Sequence, residues 1–142
     1  MEIRLAQRED IPGMIRLLLQ VGQVHHMGRP DIFRSGAQKY NETQLETMLN
    51  HPENPIFVAR DAAVLGYGFC FLQKYENDPV LADRQVLYLD DLCVEESCRG
   101  QGIATALFQR VHQDQVQNDV QGDANQRNFE RCPHFLTGVK RR

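Results

Sequence analysis

Apolar positions change their spacing several times along this chain, and each change predicts a new element. Ile3 and Leu5 alternate with polar neighbours, which predicts a strand over Glu2–Ala6. Ile11, Met14, Ile15, Leu18 and Leu19 then recur at helical spacing and predict a helix from Arg8 to Gly22. Pro12 is tolerated in the first turn of that helix, and Gly22 is its expected stop. Val24 to Ala37 reads as irregular, punctuated by Gly28 and Pro30. A second helix is expected from Glu42 to Asn50, with Leu45, Met48 and Leu49 inward and Asn41 as its cap. His51 to Pro55 then reads as a turn.

A β region follows. Ile56–Arg60 and Val64–Tyr75 read as a hairpin closed by Asp61–Ala63, and Gln85–Val94 as a further strand after a polar loop. Gly66 and Gly68 mark a bulge or a close backbone approach. After a loop over Glu95–Gly102, the stripe Ile103, Ala104, Leu107, Phe108 and Val111 predicts a third helix. From about His112 glutamines and asparagines crowd the chain and little remains to bury a face, so disorder or a frayed helix extension is expected there. The expected organisation is a core over residues 1–111 and a divergent polar segment over 112–142.

Composition narrows the function. With 142 residues the chain is long enough for one domain with its own core. A net charge of -3 argues against a general nucleic-acid binder, which needs a basic face, and Lys140-Arg141-Arg142 reads as a solvated ending. Cys70, Cys93, Cys98 and Cys132 form no C-x-x-C pair and have no His at finger spacing, so no metal site is expected; reduced thiols fit a cytoplasmic protein. The first residues lack the apolar core of a signal peptide, and no apolar run approaches the ~20 residues that span a bilayer, so no membrane partner is expected.

The segment Cys98–Ala104 carries the most chemistry. Gly100 and Gly102 let the backbone curl and clear side chains from a ligand's path. The turn opens a helix, where unpaired N–H groups and the helix dipole favour an anion such as a pyrophosphate, with Arg99 as a fixed cation. It is neither a nucleoside-triphosphate loop, because the Lys-Ser/Thr ending is absent, nor a dinucleotide fingerprint, because the glycine spacing is wrong.

Arg99-x-x-Gly102-x-Ala104 resembles the Q/R-x-x-G-x-G/A signature of the GNAT superfamily of N-acetyltransferases. Leu87-Tyr88-Leu89-Asp90-Asp91-Leu92-Cys93-Val94 resembles that family's fourth strand, and the element order is similar to the family's over residues 2–111. The resemblance implies an α+β acyl-CoA N-acyltransferase fold, a mixed and mostly antiparallel sheet flanked by helices. It implies acetyl-CoA as co-substrate, held at the pyrophosphate by Arg99, Gly100, Gln101, Gly102, Ile103, Ala104 and Thr105. Its pantetheine arm would lie along the strand edge at Leu92, Cys93 and Val94. The implied activity is direct transfer of an acetyl group to a primary amine of a small molecule, with a catalytically impaired acyl-CoA-binding protein as the alternative.

Amine attack needs a general base, since a lysine-like amine has a pKa near ~10.4. Asp90 is the first candidate, because on a regular strand Tyr88, Asp90, Leu92 and Val94 share one face and Asp91 points the other way. The family resemblance places acid/base residues at the positions of Tyr88 and Asp90. A bulge, frequent here in the family, would let Asp91 share the task. An Asp at its usual pKa is a poor base at neutral pH, so the role requires a raised pKa or a water relay. Direct transfer leaves Cys93 as a packing residue. His25, His26, Arg29, Asp31 and Phe33 lie where the family lines its acceptor pocket. The competing view is that Arg29 and Asp31 only tie the loop together.

The family continues with an apolar fifth strand and a helix carrying N-x-x-A-x-x-F-Y-E, whose Tyr frequently protonates the leaving thiolate. Here no apolar fifth strand is legible, no Tyr follows Tyr88, and Phe129-Glu130 is only a faint echo. The missing wall of the cofactor slot has three explanations: a divergent ending, a truncated or frame-shifted product, or a second copy in a homodimer.

Overall fold

The computed structural model describes residues 1–117 and 121–122. Strands β1 (Glu2–Leu5), β2 (Ile56–Arg60), β3 (Val64–Tyr75) and β4 (Arg84–Val94) form an antiparallel sheet in that order. Helices α1 (Ile11–Gly28), α2 (Glu42–Leu49) and α3 (Ile103–Gln117) flank it. A two-residue strand, β5 (Gln121–Gly122), pairs parallel with β4 at Val86 and Leu87. A strand therefore follows the third helix although no apolar run announces it: two residues joined to β4 through backbone hydrogen bonds need no hydrophobic signal. Phe129 and Glu130 lie outside the described residues.

β2 is buried on both faces, so it reads as a continuous apolar run. Phe57 and Ala59 pack towards α3 with Leu92, Val94, Leu107 and Val111. Ile56 and Val58 pack towards α1 and α2 with Met14, Leu17, Leu18, Val21 and Leu45. Each such large apolar side chain stabilises the fold by about 1.5–3 kcal/mol on burial.

Helix α1 differs from its sequence reading in two ways. Its inner face is Ile11, Met14, Leu17, Leu18 and Val21, while Leu19 is exposed, so the stripe is rotated towards the 3–4–3 spacing of those positions. It also runs through Gly22 and ends at Gly28, taking in the segment that reads as irregular. Gly22 serves contact rather than termination: a Cβ there would collide with the Ala37 carbonyl oxygen. The helix stops where Arg29 N–H donates to the His25 carbonyl oxygen, just before Pro30.

Helix α2 starts at the expected cap. Gln44 N–H donates to Asn41 Oδ1 at 2.8 Å, and Asn41 N–H donates to Gln44 Oε1 at 2.9 Å. Such a reciprocal box is worth about 1 kcal/mol. Close approach is the role of Gly66, where a Cβ would stand 2.9 Å from the Cys93 carbonyl oxygen.

Candidate active site

The register of β3 against β4 slips at one place. Phe69 pairs with Asp91 and Cys70 with Leu89, so Asp90 is an extra residue with no partner across the ladder. The bulge rephases everything after it. Leu87 and Leu89 face α3, and so do Leu92 and Val94, although a regular strand would separate the two pairs. Asp91 and Cys93 consequently face α1. This corrects the regular-strand expectation, in which Tyr88, Asp90, Leu92 and Val94 share a face and Asp91 points away. The extra backbone residue is the physical reason.

Asp91 is 1% exposed and borders a cavity of about 220 Å³ beneath α1 and the α1–α2 loop. Leu18, Val21, Gly22 and Ala37 give it apolar walls, and His25 and Phe33 line it with rings stacked at 4.9 Å. Lys39 Nζ stands 3.4 Å from Asp90 Oδ2 and 3.7 Å from Asp91 Oδ2. Asp91 Oδ1 has no hydrogen-bond partner among the described residues. Burial pushes the Asp91 carboxyl up to about 6; Lys39 opposes that rise, and the Asp90 charge adds to it. Burial alone would lower Lys39, but Asp91 and Asp90 outweigh it and hold the ammonium above its usual value.

Cys93 connects this cavity to the glycine turn, for its thiol feels both the Asp91 carboxylate and the Arg99 guanidinium. Burial, the largest influence, pushes that thiol up to about 12, so it stays protonated and is no nucleophile at neutral pH. The turn itself is held by α1. Arg16 Nη1 pairs with Glu95 Oε2 at 2.6 Å, Gln20 Nε2 donates to the same oxygen at 3.0 Å, and Glu96 N–H donates to Gln20 Oε1 at 3.1 Å.

Gly100 and Gly102 have φ of 82° and 81°, in the left-handed region that favours glycine. A Cβ at either would meet no atom within 4 Å, so open space lies in front of the turn. Gln101 and Thr105 are exposed beside that space, whereas the Ile103 and Ala104 side chains are buried against the sheet. The first helical bond of α3 runs from Ala106 N–H to the Gly102 carbonyl oxygen at 3.0 Å. The N–H groups of Ile103, Ala104 and Thr105 therefore lack intrahelical partners. Arg99 Nε and Nη2 are buried with no hydrogen-bond partner among the described residues. Free amides and a curled glycine backbone facing open space are the donor set a pyrophosphate requires, and the Arg99 guanidinium adds a cation one residue before Gly100.

Among the described residues, β5 pairs only with Val86 and Leu87, and the β4 edge from Tyr88 to Val94 carries no strand. Leu92, Cys93 and Val94 thus present backbone on an open edge whose side chains are all buried. Tyr88 does not line the cavity; its hydroxyl lies 2.7 Å from that of Tyr75. His26 Nδ1–H donates to the Phe33 carbonyl oxygen at 2.7 Å and so holds the loop down. Arg29 and Asp31 pair with each other through two bonds, at 3.0 and 2.9 Å, and stand outside the cavity lining.

Lys39 is the residue that sequence reasoning misses. It lies in a loop with no periodicity, and nothing local marks it as the partner of residues on β4. A larger hollow, of about 600 Å³, sits at the other end of β4 around Gln85 and Leu87 and holds none of these groups.

Among known proteins, residues 52–134 match the family model described as the acetyltransferase (GNAT) domain, a match that continues past Val111. The fold is similar to that of a tetramutant of the BH1408 protein from Bacillus halodurans, at 28% identity and a TM-score of 0.77, covering 95% of this chain and 89% of that one. It is also similar to an acetyltransferase from Vibrio fischeri, at 22% identity and a TM-score of 0.69, covering 85% and 91%. An aminoglycoside acetyltransferase from an uncultured soil metagenomic sample, in complex with sisomicin, has 16% identity and a TM-score of 0.64, covering 99% and 90%. The last two likenesses concern the fold alone. No curated protein matches this chain.

Proposed function

From its membership of the GNAT acetyltransferase family, we propose that this chain transfers the acetyl group of acetyl-CoA to a primary amine of a small molecule, with Asp91 as general base. The observation that carries the proposal is the buried Asp91 carboxylate, raised to about 6 at the floor of a cavity beside the open β4 edge. A carboxylate at that value is still ionised at neutral pH, yet is a far stronger base than an ordinary Asp.

When bound, acetyl-CoA supplies an acetyl thioester: the acceptor nitrogen gains the acetyl carbon, the carbon–sulfur bond breaks, and CoA leaves as a thiol. The N–H groups at the start of α3, with Arg99, Gly100, Gln101 and Gly102, would hold its pyrophosphate. The open edge at Leu92, Cys93 and Val94 would take its extended arm by strand addition. A backbone N–H on that edge would polarise the thioester carbonyl. Asp91 would take the proton of the incoming ammonium. Asp90 keeps Lys39 in place beside it. Tyr88, paired with Tyr75, would supply a hydroxyl on the same strand. A cytoplasmic setting, where acetyl-CoA is made and used, suits this chemistry.

Thermal unfolding with acetyl-CoA tests binding, because a ligand at a hundredfold over its Kd stabilises by about 2.7 kcal/mol. Thiol release across an amine panel then tests turnover. Stabilisation with no thiol release on any amine would replace transfer by acyl-CoA binding alone. No stabilisation at millimolar acetyl-CoA would remove both.

A further inference from the structure

The glycine turn does not fix its own shape. Gly100 and Gly102 hold φ of 82° and 81°, and glycine has the widest backbone freedom of any residue. An anion site made of backbone amides works only if those amides point at one place. At its far end the turn is anchored by helix α3, where Ala106 N–H donates to the Gly102 carbonyl oxygen at 3.0 Å. Its near end needs an anchor of its own.

That anchor is Glu95, the first residue after β4. Its N–H donates to the Leu65 carbonyl oxygen at 2.7 Å, and its carbonyl oxygen accepts from Cys98 N–H at 2.9 Å. Its carboxylate oxygen Oε2 accepts from two side chains of α1, Arg16 Nη1 at 2.6 Å and Gln20 Nε2 at 3.0 Å. Arg16 Nη2 reaches on to the Val64 carbonyl oxygen at 2.7 Å, which ties the same helix to β3. Gln20 bonds two consecutive residues of the loop, since its Oε1 accepts from Glu96 N–H at 3.1 Å. The Glu95 side chain is 17% exposed, so solvent and salt screen these bonds little. Leu18, Val21, Gly22 and His25 of the same helix line the cavity that Asp91 borders. One helix thus holds the entry to the turn and walls the cavity.

We propose that Glu95 and Gln20 are positioning residues for acetyl-CoA: they aim the amides from Gly100 to Thr105 at its pyrophosphate, acting through the backbone of the turn. This assignment rests on the turn being the pyrophosphate site, as above. The latch sets the affinity for the pyrophosphate end of the cofactor and leaves the thioester arm, which lies along β4, unaffected.

Calorimetry on the full chain compares acetyl-CoA with acetyl-pantetheine, which carries the thioester arm without the pyrophosphate. The wild type is expected to bind acetyl-CoA the more tightly. Gln20→Leu, at a half-buried helical position where folding tolerates the change, should raise the Kd for acetyl-CoA by about tenfold and narrow its lead over acetyl-pantetheine. Gln20→Glu should do the same, because it sets a second carboxylate against Glu95 Oε2. Adding Glu95→Gln to Gln20→Glu exchanges the amide and the carboxylate across that bond and should return the Kd towards the wild-type value. An unchanged Kd for acetyl-CoA in Gln20→Leu overturns the assignment. So does an equal loss for both ligands, which is the mark of a general effect on the fold, or a Gln20→Glu defect that Glu95→Gln does not relieve. A wild type that binds acetyl-CoA no more tightly than acetyl-pantetheine removes the pyrophosphate site itself, and this role with it.

Discussion

Asp90 and Asp91 are adjacent in the chain, yet a single ammonium, Lys39 Nζ, reaches both, at 3.4 and 3.7 Å. Successive residues of a regular strand point to opposite faces. The bulge at Asp90 removes that constraint, and it gives the two carboxylates different surroundings: Asp91 is 1% exposed, whereas the Asp90 side chain is 41% exposed.

Replacing Asp91 should therefore separate activity from stability. Asp91→Asn is expected to lower kcat by about 10²–10⁴-fold, the range of general-base catalysis. Its effect on stability has the opposite sign. A carboxyl raised in the folded state gives its full stability below its unfolded value of 3.8 and loses it as pH rises through about 6. The variant should gain on the wild type in Tm between pH 4 and pH 7, a difference that thermal unfolding at the two pH values measures.

The pH dependence of kcat/KM should show an acid limb near 6, where the Asp91 base loses its charge. Lys39 opposes the rise of that carboxyl. Lys39→Met should consequently move the limb to higher pH. A limb that stays in place would mean that a group outside the Lys39–Asp91 pair controls it.

At the turn, Gly102→Val imposes a β-branched side chain at φ 81° and fills the open space before it. The left-handed conformation costs an L-residue roughly 1–2 kcal/mol. The variant is expected to lose about that much stability and to raise the Kd for acetyl-CoA by about tenfold or more, read by calorimetry. Amine selectivity should be unchanged, because the turn lies outside the cavity.

A different carboxylate holds the scaffold. Asp10, also buried, accepts from Arg4 Nη1 at 2.6 Å, Gln7 N–H at 2.8 Å and Arg60 Nη1 at 2.9 Å. Burial pushes its carboxyl up, but these donors outweigh burial and hold it below 3.8. The stability it contributes is present above the unfolded value and is lost as pH falls through the lower folded one. Asp10→Asn leaves two guanidinium groups short of a charge and should cost about 3 kcal/mol at pH 7, read by denaturant unfolding. The cost should shrink in strong acid.

Much of the scaffold is legible in the chain because periodicity reports burial directly. The bounds of β2 and β3, the Asn41 cap and the first residue of α3 all follow from local pattern. The end of α1 does not, because Gly22 looks like a stop while tertiary contact uses it as a spacer. The bulge at Asp90 has no glycine or proline to announce it, so the two acidic residues are visible but their orientation is not. Lys39 joins the site only through the path of the loop, which no local spacing encodes. The Arg99–Ala104 turn is plain in sequence because its chemistry is backbone chemistry, and backbone demands write themselves into glycines.

Gly22 also bears on how the lining of the cavity can change over generations. The loop over the cavity meets α1 main chain against main chain, at Gly22 and the Ala37 carbonyl. A contact of that kind does not depend on which side chains the loop carries. Point substitutions around Phe33, which is 39% exposed, leave that backbone contact in place, so the cavity lining is free to vary while the roof stays seated. The same contact makes Gly22 a position where drift is closed, since any side chain there lifts the roof itself.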